Sequence, residues 1–190
     1  MSEDWQAAWQ PVIDAVGTDF GGGEVIEGAD AVDASALRRY LEPLEFDCPL
    51  HYDDQTARRH GYPATIAPLA SYITFSVPPI WKPRRASVFT SDERDAQPEG
   101  ISGRRFLTGL EPQHTGYFAA DFEIEFLLPV VCGDRLSRTG MKLVGCQPKE
   151  TSVGRGAFMT WVYEVRNQRS EPVARFRTTM YVYSPRSTEG

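Results

Sequence analysis

The sequence has few cysteines, and their pattern excludes two kinds of stapled fold. Its three cysteines, Cys48, Cys132 and Cys146, are an odd number without paired spacing. That pattern argues against a disulfide framework and against a zinc knuckle. A chain of 190 residues can bury a core without either kind of staple. We therefore expect one domain, 1–190, whose cysteines are buried thiols; a cysteine nucleophile is the alternative.

Positive charge is also scarce. Lys and Arg total 20 against 26 Asp and Glu, a net charge of −6. An acidic chain repels nucleic-acid phosphates unless its positive charge is clustered, so we expect no nucleic-acid partner. The arginine pairs are scattered and are interpreted as solvated faces, with binding of ligand phosphates as the alternative. These pairs are Arg38–Arg39, Arg58–Arg59, Arg84–Arg85 and Arg104–Arg105.

Long apolar runs and two familiar site signatures are missing as well. No stretch is long enough to span a bilayer and no N-terminal run resembles a signal peptide, so we expect no membrane partner and a cytoplasmic location by default. No serine lies in a G-x-S-x-G elbow. Residues 153–156, Val-Gly-Arg-Gly, lack the third glycine of a dinucleotide loop and are interpreted as a turn.

The first quarter of the sequence is predicted to be helical and rich in loops. Apolar side chains recur at helical spacing in residues 3–16, which predicts a peripheral amphipathic helix within residues 1–20. Further short elements are predicted after it: a strand at 24–27, a helix from Asp33 or Ser35 to about Leu41, and a helix capped by Asp53 or Asp54 and ended by Gly61.

Residues 65–77, TIAPLASYITFSV, form the most apolar segment. Drawn as a helix, the segment is apolar on almost every face, which is typical of a helix buried on all sides. Pro68 is tolerable only in the first turn of such a helix. A buried strand fits the same run equally well. Residues 78–113, with five prolines, are predicted as an irregular excursion near the ligand site.

The remainder of the chain reads as strands. In residues 120–127, Phe122, Ile124 and Phe126 alternate with acidic residues, which indicates a half-buried strand. One buried helix with a sheet around it is an α+β arrangement: a curved antiparallel sheet that wraps a helix at about 66–77. Further strands are predicted at 136–144, 159–165 and 175–183, with Gly140 as a candidate bulge and 167–171 as a turn.

Two stretches, in this order and spacing, resemble the MaoC-like acyl-thioester dehydratase family, and most closely its N-terminal dehydratase domains. Cys48-Pro49-Leu50-His51-Tyr52-Asp53, followed by Gly61 and Ile66-Ala67-Pro68, is similar to the motif D-x-N-P-L-H-x-D with its later glycine and I-A. Residues 129–136, Pro-Val-Val-Cys-Gly-Asp-Arg-Leu, are similar to the entry P-V-x-x-G-D-x-L into a long strand. The resemblance covers about 24–183 and implies a single hotdog domain.

The same resemblance implies a chemistry: hydration of an enoyl thioester or dehydration of a 3-hydroxyacyl thioester, on coenzyme A or a carrier protein, without cofactor or metal. In the family a paired Asp and His hold the water, and a backbone N–H at the start of the buried helix polarises the thioester. His51 matches the family histidine. The family aspartate position holds Phe46, so Asp47 is the candidate partner of His51, and Leu69 or its neighbour takes the place of the glycine that supplies the N–H.

Alternatives remain open for each candidate residue. His51 is either the catalytic base or a structural histidine, and Asp47 either its partner or a turn carboxylate. Asp53 and Asp54 are interpreted as helix caps; with His51 they do not match a known metal signature. For the aromatic members of the predicted substrate site, ordinary core packing is the alternative. The predicted substrate-binding residues are Pro68, Leu69, Ala70, Tyr72 and Trp81.

Three functions are compatible with these patterns. The first is a hydratase or dehydratase in which His51 activates water. The second, favoured by Phe46 and Leu69, is a non-catalytic hotdog subunit that shapes the acyl tunnel of a heteromeric dehydratase. The third is a hotdog thioesterase, which needs a carboxylate near the buried helix, and residues 65–77 contain none. Because the family pairs hotdog units, a second hotdog subunit, identical or different, is the expected partner.

Overall fold

The computed structural model describes residues 5–94, 96 and 106–185. In this part of the chain five strands form one curved antiparallel sheet, the kind of sheet that was predicted, in the order β1-β3-β4-β5-β2. Strands β3, β4 and β5 follow one another as a meander, while β1 and β2 form the two edges. The strands are β1 (Val25–Ala31), β2 (Gly116–Phe126), β3 (Arg135–Thr151), β4 (Gly154–Arg166) and β5 (Pro172–Ser184).

The helices are short and lie in the first half of the chain. Asp33 and Asp53 are the N-caps of two of them, and each carboxylate accepts hydrogen bonds from two backbone N–H groups of the first turn, as predicted. The helices are α1 (Gln10–Asp14), α2 (Ala34–Leu41), α3 (Asp54–Arg59) and α4 (Tyr72–Phe75), with 3-10 turns at Ala7–Trp9, Glu42–Leu44, Pro49–His51 and Leu69–Ser71.

The core lies between one face of the sheet and these helices. The side chains of Trp161 on β4 and Phe176 on β5 are fully buried on that face. Trp9 and Val12, from the N-terminal helical turns, and Leu37 of α2 belong to the same cluster. Fully buried aromatic side chains contribute most of the burial in a core of this size. Within the range of the predicted N-terminal helix, 3–16, the structure has a 3-10 turn at Ala7–Trp9 followed by α1, and residues 3 and 4 lie outside the described residues.

The central helix is shorter and less enclosed than residues 66–77 suggested. Pro68 is still extended, with φ −59° and ψ 137°, so the 3-10 turn begins only at Leu69 and continues into α4, which ends at Phe75. The side chain of Tyr72 is fully buried, but Leu69 is 50% exposed. We call residues 69–75 the central segment. Its exposed face borders a cleft, and that open side explains why burial is not complete.

Two predicted irregularities are confirmed in the sheet. Gly140 has φ +76° and lies where the β3–β4 register shifts, which is a bulge. The 167–171 turn is held by the side-chain oxygen of Asn167, which accepts from the N–H groups of Arg169 and Glu171. Residues 76–94 contain neither helix nor strand. None of the helices in the described ranges is both long and apolar enough to cross a membrane.

Candidate active site

An apolar cleft of about 610 Å³ opens beside the central segment. Its walls come from the end of α2 and the turn after it, the 3-10 turn Pro49–His51, residues 66–72, and residues 126–129 at the end of β2. The few polar side chains in its lining are His51 and three tyrosines, Tyr40, Tyr62 and Tyr72. A mostly apolar cavity with a few polar groups is typical of a small-molecule site.

The ring of His51 is oriented by a backbone carbonyl. Its Nδ1 lies 2.9 Å from the carbonyl oxygen of Ile66. Because a carbonyl oxygen only accepts, Nδ1 carries the proton and donates it, and Nε2 of the neutral ring keeps its lone pair. The N–H of Ile66 in turn donates to the carbonyl of Leu50, so the two segments hold each other. The arrangement leaves Nε2 as the basic nitrogen of His51.

The residues before His51 bring an aromatic ring to the cleft, not a carboxylate. The ring of Phe46 lies 5.5 Å from that of His51, centroid to centroid, and Phe46 lines the cleft. The hydroxyl of Tyr52 donates to the Phe46 carbonyl and fixes this loop. Asp47 is exposed and does not line the cleft. The structure therefore places Phe46 beside His51 and leaves Asp47 outside.

Four of the five predicted substrate-binding residues come together with His51, and one does not. Pro68, Leu69, Ala70 and Tyr72 all line the cleft. Trp81 lies outside it and is 48% exposed. Its indole N–H donates to the carbonyls of Arg85 and Ala86, so the side chain is held in a local turn of the excursion.

Tyr72 ties the central segment to the chain that leaves β2. Its hydroxyl donates to the carbonyl of Leu128 and accepts from the N–H of Val130, at 3.1 and 2.8 Å. Burial raises the pKa of the Tyr72 phenol, so the group stays neutral and can fill both roles. Its ring also meets Phe126 edge-on, with centroids 5.7 Å apart. Sequence reasoning missed 126–128 as cleft residues, because nothing local connects them to a residue more than fifty positions earlier.

Asp53 and Asp54 hold the local fold together. Asp53 caps α3, and the Asp54 carboxylate accepts from both the N–H and the hydroxyl of Thr65, at 2.8 and 2.6 Å. The hydrogen bonds from Thr56 to Asp53 and from Thr65 to Asp54 lower the pKa of both carboxyl groups. Both side chains are thus engaged as structural acceptors. Within the described ranges, no cluster of His, Cys, Asp and Glu is arranged to hold a metal.

The second sequence motif also has a structural role. Asp134 is buried, and its carboxylate accepts from the N–H of Val131 and from the side-chain amide of Gln168. The chain around it is bound to the segment that leads into the cleft: Ala67 N–H donates to Val130, and Cys132 N–H donates to Thr65. The P-V-x-x-G-D pattern therefore fixes one wall of the cleft.

A helix beside a curved antiparallel sheet, with a cleft at the start of that helix, defines a hotdog protein of the MaoC-like dehydratase group. Residues 15–176 match the family model described as the FAS1-like dehydratase domain region. The chain belongs to this dehydratase family, and the resemblance found in the motifs is confirmed.

Individual relatives agree with the family match. The chain is 30% identical over 169 residues to a probable enoyl-CoA hydratase alpha subunit of Thermomonospora curvata, covering 88% of this chain and 50% of that protein. It therefore spans half the length of that relative. Among solved structures, a chain of the ChsH1-ChsH2 complex from Mycobacterium tuberculosis matches with a TM-score of 0.64 at 18% identity, over 97% of this chain and 99% of that one. A MaoC-like dehydratase matches with 0.58 at 17% identity, over 90% and 42%.

Proposed function

We propose that this chain hydrates enoyl thioesters, and dehydrates 3-hydroxyacyl thioesters in the reverse direction, with His51 as the base. One observation carries the proposal: the Ile66 carbonyl holds Nδ1 of His51 protonated, so Nε2 is basic in the wall of an apolar cleft. Membership of a dehydratase family supports this class of reaction.

In the proposed reaction, Nε2 of His51 accepts a proton from water as the water oxygen attacks the β-carbon. The electron pair of the double bond moves towards the thioester oxygen, and the imidazolium then returns the proton to the α-carbon. The thioester oxygen needs donors as its charge grows. The backbone N–H groups of Leu69 and Ala70 are suited to this, since they belong to the cleft lining and donate to no protein acceptor in the described part of the chain.

A specific observation also favours a second function, that of a non-catalytic subunit. The lining of the cleft contains no Asp or Glu, and Phe46 occupies the sequence position of the family aspartate. In this alternative another hotdog chain provides the carboxylate that holds the water, and the present chain binds the acyl group.

Both functions include a second hotdog subunit along β2, which we infer from the exposed apolar residues there. Strand β2 is an edge strand of 11 residues, and long unprotected edges are avoided by proteins that remain alone. Phe122 and Phe126 are 42% and 40% exposed, and Leu128 beyond them is 41% exposed. Because Phe126 and Leu128 also line the cleft, a subunit on this edge would close its open side.

The proposal is tested by His51→Ala, with His60→Ala as the matched control. The Nδ1 of His60 also lies 2.9 Å from a backbone carbonyl, that of Thr56, but His60 follows the end of α3 and its ring is exposed outside the cleft. Hydration of crotonyl-CoA is followed in the purified chain together with any subunit that copurifies. We expect His51→Ala to lower kcat about 10²–10⁴-fold, the range for a lost general base, and His60→Ala to leave it unchanged. Full activity of the His51→Ala complex would favour the non-catalytic subunit.

A second variant, Asp47→Asn, tests whether Asp47 is the carboxylate that the lining of the cleft lacks. Because Asp47 lies outside the cleft, we expect a rate within about twofold of the wild type, far below the loss typical of a catalytic acid or base. A loss as large as that of His51→Ala would instead assign to Asp47 the paired role that the family motif suggests.

A further inference from the structure

A second groove, of about 450 Å³, meets the apolar cleft at His51. Its lining includes charged side chains, which the lining of the cleft does not, and His51 borders both. The imidazole thus lies between an apolar cleft and a groove that holds charged side chains. The polar and charged residues that line the groove besides His51 are Ser35, Arg38, Arg39, Glu42, Tyr52 and Thr65.

The two arginines distinguish this groove in a chain of net charge −6. Arg39 is exposed and has no ion pair in the described part of the chain. Arg38 lies 3.8 Å from the carboxylate of Glu42, with both side chains more than half exposed. Such a pair contributes little, so Arg38 can exchange Glu42 for another anion at small cost. Both arginines line the groove, and a guanidinium group offers forked donors that match phosphate oxygens.

The carboxylates nearby do not cancel this charge completely. Glu42 is the acidic member of the lining, against two arginines. Asp33 accepts from the N–H groups of Ser35 and Ala36 at the other end of α2, and Asp54 accepts from Thr65. Both of these carboxylates lie beside the groove but do not line it, and the charges of the lining residues Arg38, Arg39 and Glu42 sum to one positive charge.

We propose that this groove binds the phosphates of a coenzyme A thioester, with Arg38 and Arg39 as the phosphate ligands. The proposal rests on the proposed function, because it places the thioester at His51 and the acyl group in the apolar cleft. Several phosphates on one ligand suit two arginines on the same groove better than the single phosphodiester of a carrier-bound arm. The pair thereby selects coenzyme A esters over carrier-bound ones.

The test compares three crotonyl thioesters that share the reacting group but differ in phosphate: the coenzyme A ester, the phosphopantetheine ester and the N-acetylcysteamine ester, which has none. In the intact complex, we expect the double variant Arg38→Gln/Arg39→Gln to raise KM for the coenzyme A ester about tenfold or more, the scale of one lost charge-assisted contact. We expect a smaller rise for the phosphopantetheine ester, and no change for the N-acetylcysteamine ester or in kcat. An unchanged KM for the coenzyme A ester, or equal rises for all three esters, would overturn the proposal.

Two single variants act as matched controls. Arg59→Gln removes an arginine of α3 that donates to Thr56 and lies outside the groove, so KM should stay at the wild-type value. Glu42→Gln removes the competing carboxylate, so KM for the coenzyme A ester should fall. A rise in KM for Glu42→Gln would contradict the assignment.

Binding of free coenzyme A, measured by calorimetry, separates this proposal from the catalytic one. If the complex binds coenzyme A through the arginines but hydrates nothing, the groove assignment stands and the proposed reaction fails. If hydration depends on His51 but coenzyme A binds equally well to the double variant, the reaction stands and the groove assignment fails.

Discussion

Strands β4 and β2 have the same alternating sequence pattern, but their aromatic side chains have opposite environments. On β4 the side chains of Trp161 and Tyr163 are 0% and 2% exposed. On β2 Phe122 and Phe126 are 42% and 40% exposed. Strand β4 lies in the middle of the sheet, and Phe20 and Phe106 contact its two aromatic rings. Strand β2 is an edge.

The difference shows what an alternating pattern does and does not determine. Alternation places apolar side chains on one face of a strand, but burial of that face depends on what the rest of the assembly packs against it. For β4, other residues of the same chain pack against this face and bury it. For β2 the exposed apolar side chains are of the kind that marks an interaction surface. Because Phe126 belongs to both β2 and the cleft, the proposed subunit contact and the candidate site share this edge.

The largest expected effect compares the two strands directly in the isolated chain. Trp161→Ala should lower the free energy of unfolding by about 3–5 kcal/mol, because it opens a cavity in the core. Phe122→Ala should cost about 1 kcal/mol or less, because much of that side chain is already in solvent. Denaturation by urea measures both changes. Equal losses would show that β2 is as well covered as β4.

The next prediction concerns association of the chain with the proposed second hotdog subunit. Phe122→Ser should weaken assembly by about 2 kcal/mol or more, the size expected for an aromatic residue central to an interface. Glu123→Ser, the adjacent position on the other face of the strand, is the control. Sedimentation velocity over a concentration series gives both affinities. Wild-type assembly by Phe122→Ser would remove β2 from the interface.

Tyr72→Phe tests the tie between the central segment and the end of β2. The change leaves the N–H of Val130 and the carbonyl of Leu128 without their partner, which should cost about 1–2 kcal/mol. Tyr52→Phe removes a hydroxyl that makes a single, exposed hydrogen bond, so its loss should be smaller. Urea denaturation compares the two, and the opposite order would contradict the proposed tie.

Much of the fold was predictable from sequence, because its signals are local. Asp33 and Asp53 stand at caps, alternation marks the strands, and Gly140 marks the bulge. The bounds of the central helix and its exposed face were not predictable. A run that is apolar on every side shows neither where the helix begins and ends nor which face is left uncovered.

The candidate site was predictable only in part, for the same physical reason. The motif located His51, but the cleft is completed by 126–129, which reach it through tertiary contacts. Trp81 was expected in the site by its residue type, whereas local carbonyls already satisfy its indole. Contacts between distant segments leave no periodic signal in a single sequence.

The smallest expected effect is a pH dependence of the wall next to His51. Hydrogen bonds from Thr65 lower the pKa of the Asp54 carboxyl in the folded chain. The stability from this carboxylate is therefore present above the unfolded-state pKa of about 3.9 and is lost as pH falls through the lower folded-state pKa. Asp54→Asn should have a lower free energy of unfolding than the wild type at neutral pH, and this difference should disappear on acidification. A difference in free energy of unfolding that does not change with pH would contradict this role.

The most direct test of His51 as the base is its tautomer, measured by nitrogen NMR of the imidazole ring with His60 as the internal reference. We expect the neutral His51 ring to carry its proton on Nδ1, and its Nε2 signal to shift when crotonyl-CoA is added while that of His60 stays fixed. A proton on Nε2, or a His51 Nε2 signal that does not shift when crotonyl-CoA is added, would contradict the assignment of this residue as the base.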